Sequence, residues 1–143
     1  MKNVLVVCVG NVCRSPMAQG VLRAQLPGWT VHSAGLEALI GAPADEIAVR
    51  LLRGRGIDIG DHRAVQVTRR MCMAADVVLV MSRDQRRQLE SMYPEVCGRV
   101  FRVAEHADRE IPDPYRQPES AFRHALKLID EGVSSWVQRI QRL

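Results

Sequence analysis

Two residues capable of phosphoryl chemistry lie six apart near the start of the chain, in Cys8-Val9-Gly10-Asn11-Val12-Cys13-Arg14-Ser15-Pro16. A cysteine thiolate is a strong nucleophile, and a guanidinium offers a planar fork of donors suited to phosphate. Before them runs Val-Leu-Val-Val at 4–7, read as a buried strand. After them Ser15-Pro16 marks a helix start, with Ser15 placed to cap and Pro16 at the first helical position. A strand–loop–helix turn aims backbone N–H groups and the positive end of the helix dipole at one point, which makes an anion site. The same field favours a thiolate held there. Gly10 and Asn11 are residue types that accept positive φ, as a loop wrapped around an oxyanion requires. A cysteine and an arginine at this spacing are common by chance; the flanking strand and helix start sharpen the signal. The nucleoside-triphosphatase loop Gly-x4-Gly-Lys-Ser/Thr is absent.

A carboxylate stands about a hundred residues on, in Ile111-Pro112-Asp113-Pro114-Tyr115. Two prolines stiffen this segment and can hold one carboxyl in a fixed place. Asp-Pro is also an ordinary turn, and a purely structural use carries about equal weight. Paired with an activated thiol, Asp113 gains a role. When Cys8 attacks phosphorus the leaving oxygen needs a proton, which Asp113 can supply as general acid. Its carboxylate can then activate the water that cleaves phosphocysteine.

The elements that must position these residues follow from the apolar pattern. Strands are expected at 3–8, 30–34, 75–81 and 99–103. Helices are expected at 16–26, 45–53, 69–75, 83–92 with Ser82 as cap, and 118–142. The last carries Phe122, Leu126, Ile129, Val133, Trp136 and Ile140 as a core-facing stripe, while 83–92 has a basic outer face of Arg83, Arg86 and Arg87. Residues 36–42, 57–68 and 105–116 read as loops. Apolar strands alternating with helices imply βαβ crossovers and a parallel sheet covered on both faces, in one domain spanning 1–143. Ligands bind beyond the carboxyl ends of such strands, so the loops bearing Cys8 and Asp113 open onto one edge.

CVGNVCRSP followed by DPY resembles the low-molecular-weight protein tyrosine phosphatases. Ser33-Ala34-Gly35, Asp61-His62, the Val-Val-Leu-Val-Met strand and the final helix fall in that family's order, so the likeness covers nearly the whole chain. It implies a three-layer αβα sandwich around a four-stranded parallel sheet. It implies Cys8 as nucleophile, Arg14 as phosphate ligand and Asp113 as acid and then base, with residues 9–15 (Val9, Gly10, Asn11, Val12, Cys13, Arg14 and Ser15) wrapping the phosphate. Ser15 resembles the hydroxyl that steadies the thiolate. Asn11 resembles the residue that locks the loop, tied to a serine and a histidine matching Ser33 and His62. Cys13 matches a second loop cysteine able to capture an oxidised Cys8 as a disulfide. For an aryl ester, Tyr115 with Leu39 or Ile40 can flank the ring.

The chain departs from eukaryotic members in three places. Leu36, Leu39 and Ile40 occupy the loop where an aromatic often lines the pocket, Arg116 follows Tyr115, and Ser82 follows Met81. Ser-Ala-Gly-Leu and Asp-Pro-Tyr-Arg resemble the bacterial subgroup associated with exopolysaccharide or capsule export, whose substrate is a tyrosine autokinase with a tyrosine-rich tail. An arsenate reductase of the same fold needs further cysteines near 80–84, and none is there. A non-catalytic phosphate-binding module would be expected to lose the thiol, arginine or acid, and all three are present.

Composition is that of an ordinary globular chain, with 47% hydrophobic and 25% charged residues. The formal charge of +4 suits acidic or phosphorylated partners. No aromatic-interleaved basic stripe points to nucleic acid, and no apolar run of about 18 residues suggests membrane insertion. Cysteines at 8, 13, 72 and 97 form no zinc spacing, so neither metal nor cofactor is expected. The start lacks a signal-peptide pattern, and the thiols fit a cytoplasmic protein. A monomer or weak oligomer is expected, and the resemblance implies inorganic phosphate as product and inhibitor.

Overall fold

The computed structural model describes residues 2–142. Four strands, β1 (Asn3–Cys8), β2 (Thr30–Gly35), β3 (Val77–Val80) and β4 (Val100–Arg102), form an all-parallel sheet in the order β2-β1-β3-β4. Five helices cover it: α1 (Arg14–Gln25), α2 (Glu46–Arg53), α3 (Arg69–Ala74), α4 (Arg83–Met92) and α5 (Glu119–Gln141). The expected three-layer α/β architecture is present.

Strand β1 is central and buried on both faces, which is why it reads as a continuous apolar run. Its side chains alternate between two cores. Val4, Val6 and Cys8 join the core built with α1, α2 and α5; Leu5 and Val7 join Cys72, Val78 and Leu89 beneath α3 and α4. The chain steps from β1 out to β2 and then back across β1 to β3. The sheet therefore reverses its winding beside β1, and the Cys8 loop occupies the crevice opened there.

The stripe on α5 is core, as its spacing requires: Phe122, Leu126, Ile129, Val133, Trp136 and Ile140 are all buried. Gly132 on the same helix lies against the Val103 carbonyl, where a Cβ would collide. Trp136 Nε1 donates to the Arg102 carbonyl at 3.0 Å.

Two expectations need correcting. Helix α1 begins at Arg14, with Cys13 at the cap position and no side-chain cap. Ser15 lies inside the first turn and its hydroxyl is used elsewhere; Pro16 is tolerated because N–H groups of a first turn have no helical acceptor. Segment 105–116 is less irregular than its composition suggests. A short 3-10 turn, Glu105–Ala107, opens it, and buried Arg102 reaches Glu105 at 2.9 Å, Asp108 at 2.6 Å and Glu110 at 3.4 Å. The basic outer face of α4 is as expected, and its arginines are paired. Arg83 meets Asp108, Arg86 meets Glu90 and Glu105, and Arg87 meets Asp84.

Candidate active site

The loop between β1 and α1 is turned inside out relative to an ordinary bend. Leu36 N–H donates to the Cys8 carbonyl at 2.9 Å, Glu37 N–H to Val9 at 2.9 Å and Leu39 N–H to Gly10 at 3.0 Å. His62 Nε2 lies 2.7 Å from the Asn11 carbonyl. Asp45 N–H donates to Val12 at 2.8 Å, and Met17 N–H to Cys13 at 3.1 Å. Every carbonyl from 8 to 13 thus accepts a hydrogen bond from outside the loop. The N–H groups of Val9, Gly10, Val12, Cys13 and Arg14 have no backbone acceptor among the described residues, and they are left to face the concave side. Such a ring of N–H groups at a helix N-terminus is an oxyanion cradle. Asn11 sits at φ 60°, the left-handed conformation anticipated from its residue type.

At the centre lies Cys8 Sγ. Asn11 N–H donates to it at 3.3 Å, and the Ser15 hydroxyl is 3.0 Å away. Asn11 is fully buried below the loop. Its Nδ2 donates to Ser15 Oγ at 2.8 Å and Ser33 Oγ at 3.0 Å, and its Oδ1 accepts from Val65 N–H at 2.9 Å. The Asn11 carbonyl can only accept, so His62 carries its proton on Nε2. Burial, outweighing the bond to Asn11 that favours protonation, holds His62 below its ordinary pKa and so neutral. The other loop cysteine is a different chemical object. Burial, reinforced by the negative charge of Asp45, pushes the Cys13 thiol well up and keeps it protonated.

Arg14 is buried at the far wall. One Nη donates to the Ile111 carbonyl at 2.9 Å, and the other lies 3.7 Å from Asp113 Oδ2. The Asp113 carboxylate also accepts from Tyr115 N–H at 3.1 Å, so the turn it sits in holds its orientation. Arg14 therefore ties the acid-bearing loop to the cradle. Ile111 N–H donating to Met81 O at 3.0 Å fastens the same loop to the sheet edge.

A cleft of about 220 Å³ is walled by Cys8, Val9, Gly10, Val12, Cys13, Arg14, Glu37, Leu39, Asp113 and Tyr115. The structure thus brings together the thiol, arginine and acid chosen from the sequence, with Leu39 and Tyr115 at the mouth. Asn11, Ser15, Ser33 and His62 form the supporting layer beneath. Ile40 stands apart: it is 74% exposed and no part of the cleft wall. Leu39 and Ile40 are consecutive in a turn, and only the first can face inward. Two residues went unread in the sequence. Glu37 lines the mouth, and Gln19 on α1 accepts from Ser33 Oγ at 2.6 Å. A glutamine on an amphipathic helix carries no sequence signal of a buried partner, but its position one turn after Ser15, on the same face, places it beneath the loop. Cys72 and Cys97 are not brought to the cleft. Burial among the α3 and α4 core pushes Cys72 up to about 11, and Cys97 is exposed before β4, at the opposite end of the sheet.

Known proteins are similar to this chain in sequence and in fold. Residues 3–143 match the family model described as low molecular weight phosphotyrosine protein phosphatase. The chain is 49% identical over 143 residues to the probable low molecular weight protein-tyrosine-phosphatase EpsP of Ralstonia nicotianae, covering 100% of this chain and 99% of that one. Among solved structures it is similar to Vibrio vulnificus Wzb in complex with benzylphosphonate, at 39% identity and TM-score 0.93, covering 96% of this chain and 98% of that one. It is similar also to the tyrosine phosphatase Wzb of Escherichia coli K30 in complex with sulphate, at 33% identity and TM-score 0.93, over 97% and 98% of the two chains. With the match running along its whole length, this chain belongs to the low molecular weight protein tyrosine phosphatases.

Proposed function

We propose that this phosphatase works through a phosphocysteine on Cys8, with Arg14 as phosphate ligand and Asp113 as general acid and then base. The observation that carries the assignment is the everted loop: carbonyls 8–13 held outward, N–H groups inward, and a thiol at the centre facing a carboxylate across the cleft. Cys8 Sγ attacks phosphorus in line with the ester oxygen. The S–P bond forms, the P–O(aryl) bond breaks, and Asp113 gives its proton to the departing phenolic oxygen. The inward N–H groups and Arg14 hold the three equatorial oxygens as charge spreads over them. Asp113, now a carboxylate, takes a proton from water; that water attacks phosphorus, the S–P bond breaks, and phosphate leaves. Leu39 and Tyr115 flank the ring of a phosphotyrosine, a group long and narrow enough to reach the thiol from the mouth.

The physiological substrate we propose is a tyrosine autokinase of the exopolysaccharide or capsule export machinery, met in the cytoplasm by a monomeric or weakly oligomeric phosphatase. Supporting this are Ser33-Ala34-Gly35-Leu36 and Asp113-Pro114-Tyr115-Arg116, which resemble that bacterial subgroup, and the likeness to EpsP and Wzb. Substrate trapping tests it. Asp113→Ala protein mixed with lysate of the source cell should retain a membrane-associated, tyrosine-phosphorylated kinase, released by vanadate. Retention of unrelated phosphoproteins overturns the substrate. Wild-type turnover of an aryl phosphate by Cys8→Ser overturns the mechanism itself.

A further inference from the structure

We propose that Gln19 is a positioning residue for the reaction, setting the direction of a hydrogen-bond chain that leaves the Ser15 proton pointed at Cys8 Sγ. The chain starts at an atom that can only accept. Gln19 Nε2 donates to the Val31 carbonyl on β2 at 3.2 Å. The amide's other end, Oε1, therefore faces Ser33, and the Ser33 hydroxyl donates to it at 2.6 Å. A hydroxyl has one proton. With that proton spent, Ser33 Oγ can only accept, and it does so from Asn11 Nδ2 at 3.0 Å. The second Nδ2 proton goes to Ser15 Oγ at 2.8 Å, and the proton left on Ser15 has Sγ before it at 3.0 Å. No buried side-chain polar atom among the described residues lacks a partner, so the chain is complete.

Gln19 matters because the Asn11 amide has an alternative. Turned over, its oxygen would face both serine hydroxyls, each of which could donate to it, and the Ser15 proton would leave sulfur. Two groups oppose that state. Val65 N–H needs an acceptor at one end of the amide. Gln19, at the other, takes the Ser33 proton and leaves that hydroxyl no proton to offer. Removing Gln19 leaves only Val65 against the turned state.

The inference rests on Cys8 being the nucleophile, and its test needs no turnover. Alkylation of Cys8 by iodoacetate, mapped by mass spectrometry, is followed in wild type and Gln19→Met, a substitution that keeps length and removes both hydrogen bonds. Alkylation should slow about threefold or more at pH 5.5, the worth of one hydrogen bond, and less at pH 9. In a Ser33→Ala background, Gln19→Met should add almost nothing. Should Gln19→Met not fold, Gln19→Asn, whose amide is too short to span Val31 and Ser33, carries the same expectation. Equal rates at pH 5.5, equal slowing at both pH values, or full additivity with Ser33→Ala would each overturn the proposal. Loss of aryl phosphatase activity in Asp113→Ala with this alkylation pattern intact separates failure of the acid from failure of the hydrogen-bond chain.

Discussion

At the scale of single residues, the proposed mechanism divides the work between a nucleophile in the loop and an acid brought from the far end of the chain. The division has a kinetic signature. Asp113→Asn should lower kcat by about two orders of magnitude with KM for an aryl phosphate nearly unchanged, since a general acid acts in the transition state. The loss should grow as the leaving phenol becomes less acidic, which a series of substituted phenyl phosphates would measure. His62 supplies a second prediction. Its pKa is lowered in the folded protein, so its contribution is present above the ordinary value of about 6.5 and is lost as pH falls through the lowered one. The melting temperature should drop between about pH 7 and pH 5, and drop less in His62→Gln, which can still donate to Asn11 but does not titrate. Residue identity made Cys8, Arg14 and Asp113 legible because their chemistry is rare in combination. Gln19 and Glu37 were not legible, because an amide on a helix and an acid in a loop have many ordinary uses.

At the scale of elements, apolar periodicity located each strand and α-helix of the described residues to within a few residues, but neither 3-10 turn, Pro94–Val96 or Glu105–Ala107. The start of α1 was misplaced because Ser-Pro imitates a cap, whereas this helix begins on a loop whose N–H groups are kept for a ligand. Invisible was the main-chain part of that loop's fastening, made by segments 36–39 and 45; only the bond from the His62 side chain had a residue type to read. Backbone donors leave no mark on residue choice, except where one is deleted. Glu37→Pro should therefore abolish activity by removing the N–H that holds the Val9 carbonyl, while Glu37→Ala should keep kcat within a few-fold of wild type. Gly35 is the complementary case: a Cβ there would come within 2.6 Å of the Val9 carbonyl. The cap of α2 is a local matter by comparison. Asp45→Ala loses the bond from Ile47 N–H at 2.9 Å and should cost about 1 kcal/mol in a denaturant titration, with the N–H to Val12 intact.

At the scale of the whole molecule, a net charge of +4 and a preformed anion cradle should make the folded state a receptor for phosphate before any reaction occurs. Ligand that binds only the native state stabilises it by mass action, about 2.7 kcal/mol at a hundredfold excess over Kd. Inorganic phosphate should raise the melting temperature of wild type in proportion to the logarithm of its concentration, and should do so far less in Arg14→Met. The main-chain fastening of the loop has a consequence for how such a protein can diverge. The segment that holds the phosphate cradle open also presents Glu37, Leu39 and Ile40 to an incoming partner, and it holds the cradle without using those side chains. Positions 37, 39 and 40 can thus drift through almost any residue but proline at 37 and 39, changing which partner is met, while the chemistry next door is inherited unaltered.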